Sequence, residues 1–491
     1  MQTSRPLQEL IPQLLTHINV HYQNQVIYNK KLLDIWNGNL LKYVEESMSM
    51  ELSPRAFQRS KGRIPPINIL NQVVAKLSRV YTDPASRDAG DNAIDKELLA
   101  YYEKELDVDN QLAMTNELLN LNKYFALEPY LDVNGVPDMR ILPADKFLVW
   151  SDNKNDPTAM TVFIKFMGSV LKTSAPVVDQ YGKIVKGAET VVRDVALYHI
   201  YSNDEFMVLD ADGDITDYRE NPYGRIPFVY CSNSSFELIP TPDSDNLSMA
   251  VLIPKLLADL NYATQFQSHS IMYGIDVDTS NLDSNPDAFW SISSVPGEGK
   301  TPSIGMIKPE VDTDKVIGLI NAEMRMWLES KGLKTGSVGK ASVDSATSGV
   351  SKLIDEADAS AVNRKQVSLF RRYEKELWSL VKTMHDFWAS TQQLRDVNKA
   401  FSKDFNPYVK FAENKIVIDT KDTLEQLKVE FDLGLTTPEL ALRKLYPDMK
   451  PEELKKRLQE IEEYKKKGKN MPFESLMGQV DTTESEIPEE D

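Results

Sequence analysis

The hydrophobic positions near the start of the chain follow a helical period. Apolar residues recur at three- and four-residue steps within residues 1–50, at Leu14, Ile18, Tyr22, Val26, Leu32, Leu33, Ile35 and Trp36. This spacing predicts amphipathic helices. The same period over residues 67–82 predicts a helix that stops before Pro84, because proline cannot continue a helix. Residues 92–122 predict one or two further helices with a break near residues 107–109.

The pattern becomes typical of β-strands from about residue 124 to residue 232. Two β-rich runs flank Asn134-Gly135, the dipeptide that most strongly favours a tight hairpin turn. Further strand-like runs follow, namely FLVW, TVFIKF, VALYHIY and EFMVLD. The segment DADGD at residues 210–214 resembles the start of a calcium-binding loop, but the twelfth loop position is not a glutamate. We therefore interpret it as a turn.

The helical period returns in the second half of the chain. Residues 244–274 predict a helix in which Pro254 marks a kink or an early turn. Residues 275–313 are polar, with the strand-like runs FWSIS and IGMIK, and residues 314–330 predict another helix. Apolar residues at helical spacing then predict one long helix from about residue 350 to residue 396.

The C-terminal part of the chain is predicted to contain a strand and more helices. The run VKFAENKIVID predicts a strand pair or a bent strand, and residues 421–467 predict a helical hairpin or bundle. Either Thr436 or Thr437 is suited to cap a helix that starts at Pro438. The acidic tail at residues 471–491 has few apolar residues, so we expect it to be disordered.

The charge of the chain restricts how it can meet nucleic acid. The 491 residues include 74 acidic and 56 basic side chains, which gives a formal net charge of −18. Proteins that hold DNA tightly usually present a basic surface, because Lys and Arg release counterions from the phosphates. The sequence therefore predicts either that the protein avoids nucleic acid or that it meets DNA without holding it.

Several classes of protein are disfavoured by composition. No apolar run approaches the length of a transmembrane helix, and the N-terminal MQTSRPLQEL lacks the apolar core of a signal peptide. We therefore expect a cytosolic protein without a membrane partner. Cys231 is the only cysteine, so no internal disulfide is predicted. With five scattered histidines, we also expect no metal site and no cofactor.

The motifs of common enzymes fail at identifiable positions. His17 and His21 share a helix face, but no acid follows His17 as the HExxH zinc motif requires, so we interpret them as a helix-surface pair. The segment KTGSVGKAS departs from a phosphate-binding loop at Lys334 and at Ala341. We predict no catalytic residues. A metal-dependent nuclease remains the enzyme alternative.

One basic segment stands out in this acidic chain. Lys331, Lys334 and Lys340 lie in a Gly- and Ser-rich stretch that has no acidic residue between Glu329 and Asp344. This stretch is either an ordinary flexible surface loop or a loop that touches phosphate backbones weakly and without reading sequence.

The order of segments resembles the portal proteins of tailed bacteriophages of the siphophage type. The most specific match is NPYGRIPFVYCSNSS at residues 221–235. Weaker matches are the helix with Asn68, Val73, Val74, Tyr81 and Pro84, the hairpin segment LNKYFALEPYLDVNGVPDMRILPADKFLVWSDNKND, and the segments DSDNLSMAVLIPKLLADLN and SATSGVSKLIDEADA. The resemblance covers roughly residues 64–465, and the order of the segments carries more weight than any single one.

The resemblance implies an α+β, predominantly helical fold with the parts of a portal subunit. These parts would be N-terminal helices with an α/β wing (1–243), two stem helices (244–274 and 314–330), a small β-containing clip (275–313), a tunnel loop (331–352), a long wing helix and strand (353–420), a helical crown (421–470) and the acidic tail (471–491). Such subunits assemble into a ring, typically of twelve, around a DNA channel.

The resemblance also implies function, partners and location. A portal occupies one capsid vertex of the virion, passes double-stranded DNA in packaging and ejection, and nucleates capsid assembly with the major capsid and scaffold proteins in the host cytoplasm. It binds the large terminase and then the head-completion adaptor, for which residues 275–313 are the candidates. Lys331, Lys334, Lys340 and Lys352 are the candidate DNA-proximal residues. The alternative is another virion structural or scaffold protein.

Overall fold

The protein is a mixed α and β structure, as the sequence predicts. A computed structural model describes residues 5–174, 191–268, 271–275, 303–307, 312–333, 349–395, 399–411, 427–430, 436–445 and 457–459. The chain divides into two compact units. The first comprises Met1–Val343 and Asp358–Ala412, and the second comprises Asp344–Ala357 and Glu413–Asp491.

Helices make up most of the described chain. They are α1 (Leu7–His21), α2 (Ile27–Trp36), α3 (Leu40–Glu51), α4 (Pro54–Ser60), α5 (Ile69–Leu77), α6 (Ala93–Glu105), α7 (Val108–Asn122), α8 (Ser244–Ser268), α9 (Thr313–Ser330), α10 (Gly349–Ser390) and α11 (Pro438–Leu445). A π-helical turn, Tyr22–Val26, joins α1 to α2, and a 3₁₀ turn, Lys61–Arg63, follows α4. The predicted break near residues 107–109 is confirmed, because Asp107 is left-handed with φ 45°.

The described strands form four antiparallel sheets. They are β1 (Ser86–Asp88), β2 (Tyr124–Leu131), β3 (Pro137–Pro143), β4 (Phe147–Trp150), β5 (Val162–Ser174), β6 (Val191–Tyr201), β7 (Glu205–Asp210), β8 (Ile215–Glu220), β9 (Val229–Ser232), β10 (Ile271–Ile275), β11 (Ser303–Ile307) and β12 (Tyr408–Lys410). Five strands pair in the order β4-β5-β6-β7-β8 and three in the order β3-β2-β9. The other two pairs are β1-β12 and β10-β11.

Two asparagines join α5 to the end of α2. The Asn68 side chain accepts a hydrogen bond from the Asn71 N–H (3.3 Å) and donates one to the Ile35 carbonyl (2.7 Å). The Asn71 side chain donates to the Trp36 carbonyl (2.9 Å). The last carbonyls of a helix have no partner within the helix, so these two side chains stabilise the end of α2 while Asn68 caps α5.

The five-stranded sheet has its own core, which α1 covers. The apolar stripe of α1 is fully buried at Leu7, Leu10, Leu14 and Ile18, and it packs in one cluster with residues of the sheet. Phe163 of β5 stacks on Phe228 with ring centroids 4.0 Å apart. The four strand-like runs of the sequence are therefore confirmed, each as part of this sheet.

The hairpin predicted at Asn134-Gly135 is present between β2 and β3. Gly135 adopts φ +75°, and its carbonyl accepts a hydrogen bond from the Arg395 N–H (3.0 Å). The turn thus packs against the residues that follow α10. A Cβ on Gly135 would lie 2.5 Å from the carbonyl oxygen of Gln393, so both the conformation and the space require glycine here.

The DADGD segment forms the turn between β7 and β8. The Asp210 carboxylate accepts hydrogen bonds from the N–H groups of Asp212 (2.9 Å) and Asp214 (3.0 Å). The ammonium of Lys172, from β5, forms ion pairs with Asp210, Asp212 and Asp214. The turn interpretation is confirmed, and the three carboxylates are neutralised in part by a cation of the chain itself.

The long helix α10 is the centre of the larger core. It has 42 residues and is therefore about 60 Å long at 1.5 Å per residue. It begins at Gly349, as the apolar spacing predicts, and ends at Ser390, about six residues before the predicted end. Its buried side chains recur at helical spacing, at Phe370, Tyr373, Leu377, Leu380, Val381, Met384 and Trp388. They pack in one cluster with residues of α2, α3 and α5–α9.

A buried ionic network fixes α10 to the short strand β1. Arg87 donates two hydrogen bonds to the Glu374 carboxylate, from Nε (2.6 Å) and Nη2 (3.1 Å). Tyr81 donates a third (2.7 Å). The side chains of Arg87 and Glu374 are 1% and 0% exposed. Burial opposes the Arg87 charge, but Glu374 and Asp109 raise its pKa above the ordinary value.

Two boundaries in the second half differ from the predictions. The helix α8 continues through Pro254 but ends at Ser268, and Ile271–Ile275 is a strand rather than the end of that helix. Strand β11 confirms the predicted run IGMIK, whereas FWSIS lies outside the described residues. In the second unit, the Thr437 hydroxyl accepts a hydrogen bond from the Leu440 N–H (3.3 Å), which confirms Thr437 as a cap. The acidic tail lies outside the described residues.

We predict that Glu374→Gln destabilises the protein by about 3–5 kcal/mol, because it leaves Arg87 buried without its main counter-charge. Adding Arg87→Met should recover part of this loss. The matched control is Glu376→Gln, at an exposed position two residues away. The measurement is the free energy of unfolding from urea titration. Equal small effects of Glu374→Gln and the control would contradict the prediction.

We predict that Gly135→Ala destabilises the protein more than Gly224→Ala does. Both glycines have positive φ, at 75° and 61°, so both changes incur the left-handed strain of roughly 1–2 kcal/mol. A Cβ at residue 135 would contact backbone, whereas a Cβ at residue 224 would have no other atom within 4 Å. Thermal unfolding of the two variants measures the difference. Equal shifts in Tm would show that the packing of the hairpin turn contributes nothing.

Candidate nucleic-acid interface

Two helices lead to the basic segment. Helices α8 and α9 contact each other, and β10 and β11 pair between them in the sequence. The end of α9 lies beside the start of α8, since Lys331 contacts Asp245 in the first turn of α8. The two helices are therefore antiparallel.

A cluster of four charged residues, Lys123, Asp243, Asp245 and Lys331, joins these helix ends to the body of the protein. The Lys331 ammonium lies 2.9 Å from Asp243 Oδ2 and 3.0 Å from Asp245 Oδ2. The Lys123 ammonium lies 2.6 Å from the other oxygen of Asp243. We call this group the Lys331 cluster.

The Lys331 cluster is partly withdrawn from solvent. The side chain of Lys331 is 14% exposed. Burial disfavours the charge of Asp243, but the hydrogen bonds from Lys123 and Lys331 hold the pKa of this carboxyl below its ordinary value. Burial raises the pKa of the neighbouring Tyr28, which donates to the Asp243 carbonyl, to about 12.

The end of α9 has a fixed conformation. Gly332 adopts φ +73°, and the N–H of Leu333 donates to the Leu328 carbonyl (2.9 Å). The N–H of Gly332 donates to the Glu329 carbonyl (3.0 Å). Together they form a Schellman motif, completed by two buried apolar residues, Leu328 and Leu333. The basic segment therefore leaves the helix from a well-defined point.

The described residues include only part of the predicted site. Lys331 is held by Asp243 and Asp245, whereas Lys334 and Lys340 lie outside the described residues. Lys352 falls in the first turn of α10 rather than in a loop. The DNA-proximal role of these lysines stays a prediction, but Lys331 has a structural partner set that the sequence did not suggest.

The sequence could not have identified the partners of Lys331. Asp243 and Asp245 precede Lys331 by more than eighty residues, and Lys123 lies more than a hundred residues before them. The only local signal is an acid in the first turn of a helix, which is common because the helix dipole favours it. The cluster exists because tertiary packing brings three distant segments together.

The two histidines of α1 have specific partners. His17 Nε2 lies 3.0 Å from the Val149 carbonyl of β4, and the rings of His17 and His21 are 4.2 Å apart. Burial, and then the neighbouring His21, lowers the pKa of His17 to about 4. His17 thus ties α1 to the sheet rather than lying free on the helix surface. Within the described residues, no group of three or more Asp, Glu, His or Cys side chains could hold a metal.

The sequence is similar over a short stretch to an uncharacterized protein. No family model matches the sequence. The chain is 29% identical over 99 residues to an uncharacterized protein of Ureaplasma parvum serovar 3, a match that covers 20% of this chain and 82% of that protein. This similarity does not assign a family or a function. Among the described helices, none combines the length and apolar character needed to cross a bilayer.

We predict that Lys331→Met lowers the stability of the protein but does not change the salt dependence of DNA binding. Each lysine that contacts a phosphate contributes about one unit to the slope of log affinity against log salt. Lys334→Ala and Lys340→Ala should therefore each reduce this slope, while Lys331→Met should not, because Asp243 and Asp245 already hold its ammonium. The measurement is binding of a labelled DNA duplex over a salt series, with urea unfolding of each variant. A reduced slope for Lys331→Met would contradict this assignment.

Proposed function

We propose that this chain is a portal-type subunit, which assembles into a ring around a channel for double-stranded DNA. The observation that carries the proposal is the arrangement of α8 and α9. These antiparallel helices are clamped at one end by the Lys331 cluster, and the paired strands β10 and β11 lie between them in the sequence. The chain then passes through a basic segment into the 42-residue helix α10, which is anchored in the core.

The electrostatics of the chain support a conduit rather than a tight DNA-binding protein. A channel must let DNA slide in both directions, so strong contacts to base edges would hinder it. A net charge of −18 disfavours adhesion, and a few lysines per subunit supply weak contacts to phosphates. Repeated around a ring, such weak contacts add up.

The proposal assigns the chain a structural role without an active site. Energy for packaging would come from a separate terminase ATPase. We propose that residues 275–313, which include β11, contribute to binding the large terminase and then the head-completion adaptor. The further partners would be the major capsid and scaffold proteins, and the location would be the portal vertex of the virion.

We predict that the purified protein forms rings with a central channel. Negative-stain images at several protein concentrations, together with mass measurement of the particles, test this directly. Closed rings, of twelve subunits or of a neighbouring number, are the expected result. Monomers or open rods under all conditions would remove the portal proposal and favour another virion or scaffold protein.

A further inference from the structure

Helix α9 carries an apolar stripe that the described part of the chain leaves exposed. Its inward face is buried at Ile320, Trp327 and Leu328. On another face, Leu319 and Met326 are 52% and 63% exposed. These two residues are seven positions apart and therefore lie on one line along the helix. Ala322 lies between them and is also exposed. We call Leu319, Ala322 and Met326 the α9 stripe.

An apolar groove lies between α3 and α8. Its volume is about 420 Å³. Met50 of α3 and three residues of α8 (Leu247, Val251 and Leu252) supply its apolar lining. The side chain of Met50 is 77% exposed. We call this feature the α3–α8 groove.

The stripe and the groove match in length. Along α8, the groove extends from Leu247 to Lys255, which is about 12 Å at 1.5 Å per residue. The stripe extends from Leu319 to Met326, which is about 10.5 Å on the same measure. A single helix face with two large apolar side chains therefore fits the groove.

One pair of charged residues on the two surfaces is complementary. The groove is lined by two ammonium groups, Lys31 and Lys255, and by one carboxylate, Glu46, in a protein that is strongly acidic overall. Lys255 is paired with Glu51, whereas the described residues give Lys31 no carboxylate partner. On α9, Glu323 lies one turn from both Leu319 and Met326.

We propose that the α9 stripe of one copy of this chain binds the α3–α8 groove of the next copy, with Glu323 facing Lys31. The inference rests on the proposed ring and assigns the surfaces that would close it. Both halves of the contact are present on one chain but on different elements. Such a contact is heterologous, which is the kind that generates rings when the rotation closes.

Cysteine cross-linking between two differently labelled copies tests this contact. One copy carries Met326→Cys and the other carries Ser248→Cys, at an exposed position that lines the groove. A short bismaleimide should join the two copies, and a chain with both substitutions should give a ladder that ends at the ring size. The natural Cys231 is fully buried and provides a low background. The control replaces Ser248→Cys by Val133→Cys, on a fully exposed turn, and should give no cross-link.

A charge exchange gives an independent readout. Glu323→Lys and Lys31→Glu should each weaken assembly several-fold in sedimentation velocity, and the double variant should restore it. Circular dichroism should show that all three variants are folded, because both side chains are partly exposed.

The outcomes distinguish a failure of the assigned contact surfaces from a failure of the proposed ring. Rings without the cross-link, or without rescue by the double variant, would overturn the assigned surfaces and leave the portal proposal intact. A cross-link only between two Met326→Cys copies would indicate a symmetric contact and would also overturn it. A protein that stays monomeric at all concentrations would remove both proposals.

Discussion

The packing of α10 in the larger core depends on one buried ion pair, Arg87 with Glu374. Glu374 lies in the middle of α10, and Arg87 lies on β1, which pairs with β12 after the long helix. An unpaired charge at either position would cost several kcal/mol, so α10 can pack only where the two meet. Apolar burial provides most of the driving force for packing the helix, but it has no preferred register. The ion pair supplies that register.

Two further buried polar residues of α10 also determine how this helix packs. Towards its start, Gln366 exchanges hydrogen bonds with Asn116 (2.8 Å) and Asn120 (2.6 Å) of α7. Towards its end, His385 contacts Tyr102 of α6 (2.9 Å) and the Lys399 carbonyl (2.7 Å). Because buried polar groups are costly when unmatched, three such positions on one helix select a single alignment against the N-terminal helices.

Specific polar contacts also fix the end of α9, which immediately precedes the candidate functional segment. The Lys331 cluster and the Schellman motif fix the end of α9, so the basic segment starts from a defined place on the body of the protein. In the proposed channel, Lys331 would have a positioning role, and contact with phosphates would be left to lysines further along the segment.

The sequence by itself determined the local structure. The helical period of α1, α5, α9 and α10, the Asn134-Gly135 hairpin and the DADGD turn all follow from interactions between residues close in the chain, and these predictions hold. The helical period did not predict the end of α8 at Ser268, because the period continues into residues 271–275, which instead pair as a strand with residues 303–307.

Only the tertiary structure decided which distant residues meet. Arg87 with Glu374, Lys331 with Asp243, and Gly135 with Gln393 are each separated by at least eighty-eight positions, and no pattern in the sequence marks them as partners. The sequence shows the basic segment as a local charge pattern. It does not show that Lys331 forms ion pairs with Asp243 and Asp245. A charge pattern records which groups are near in sequence, whereas burial and pairing depend on which groups the folded chain brings within a few ångströms.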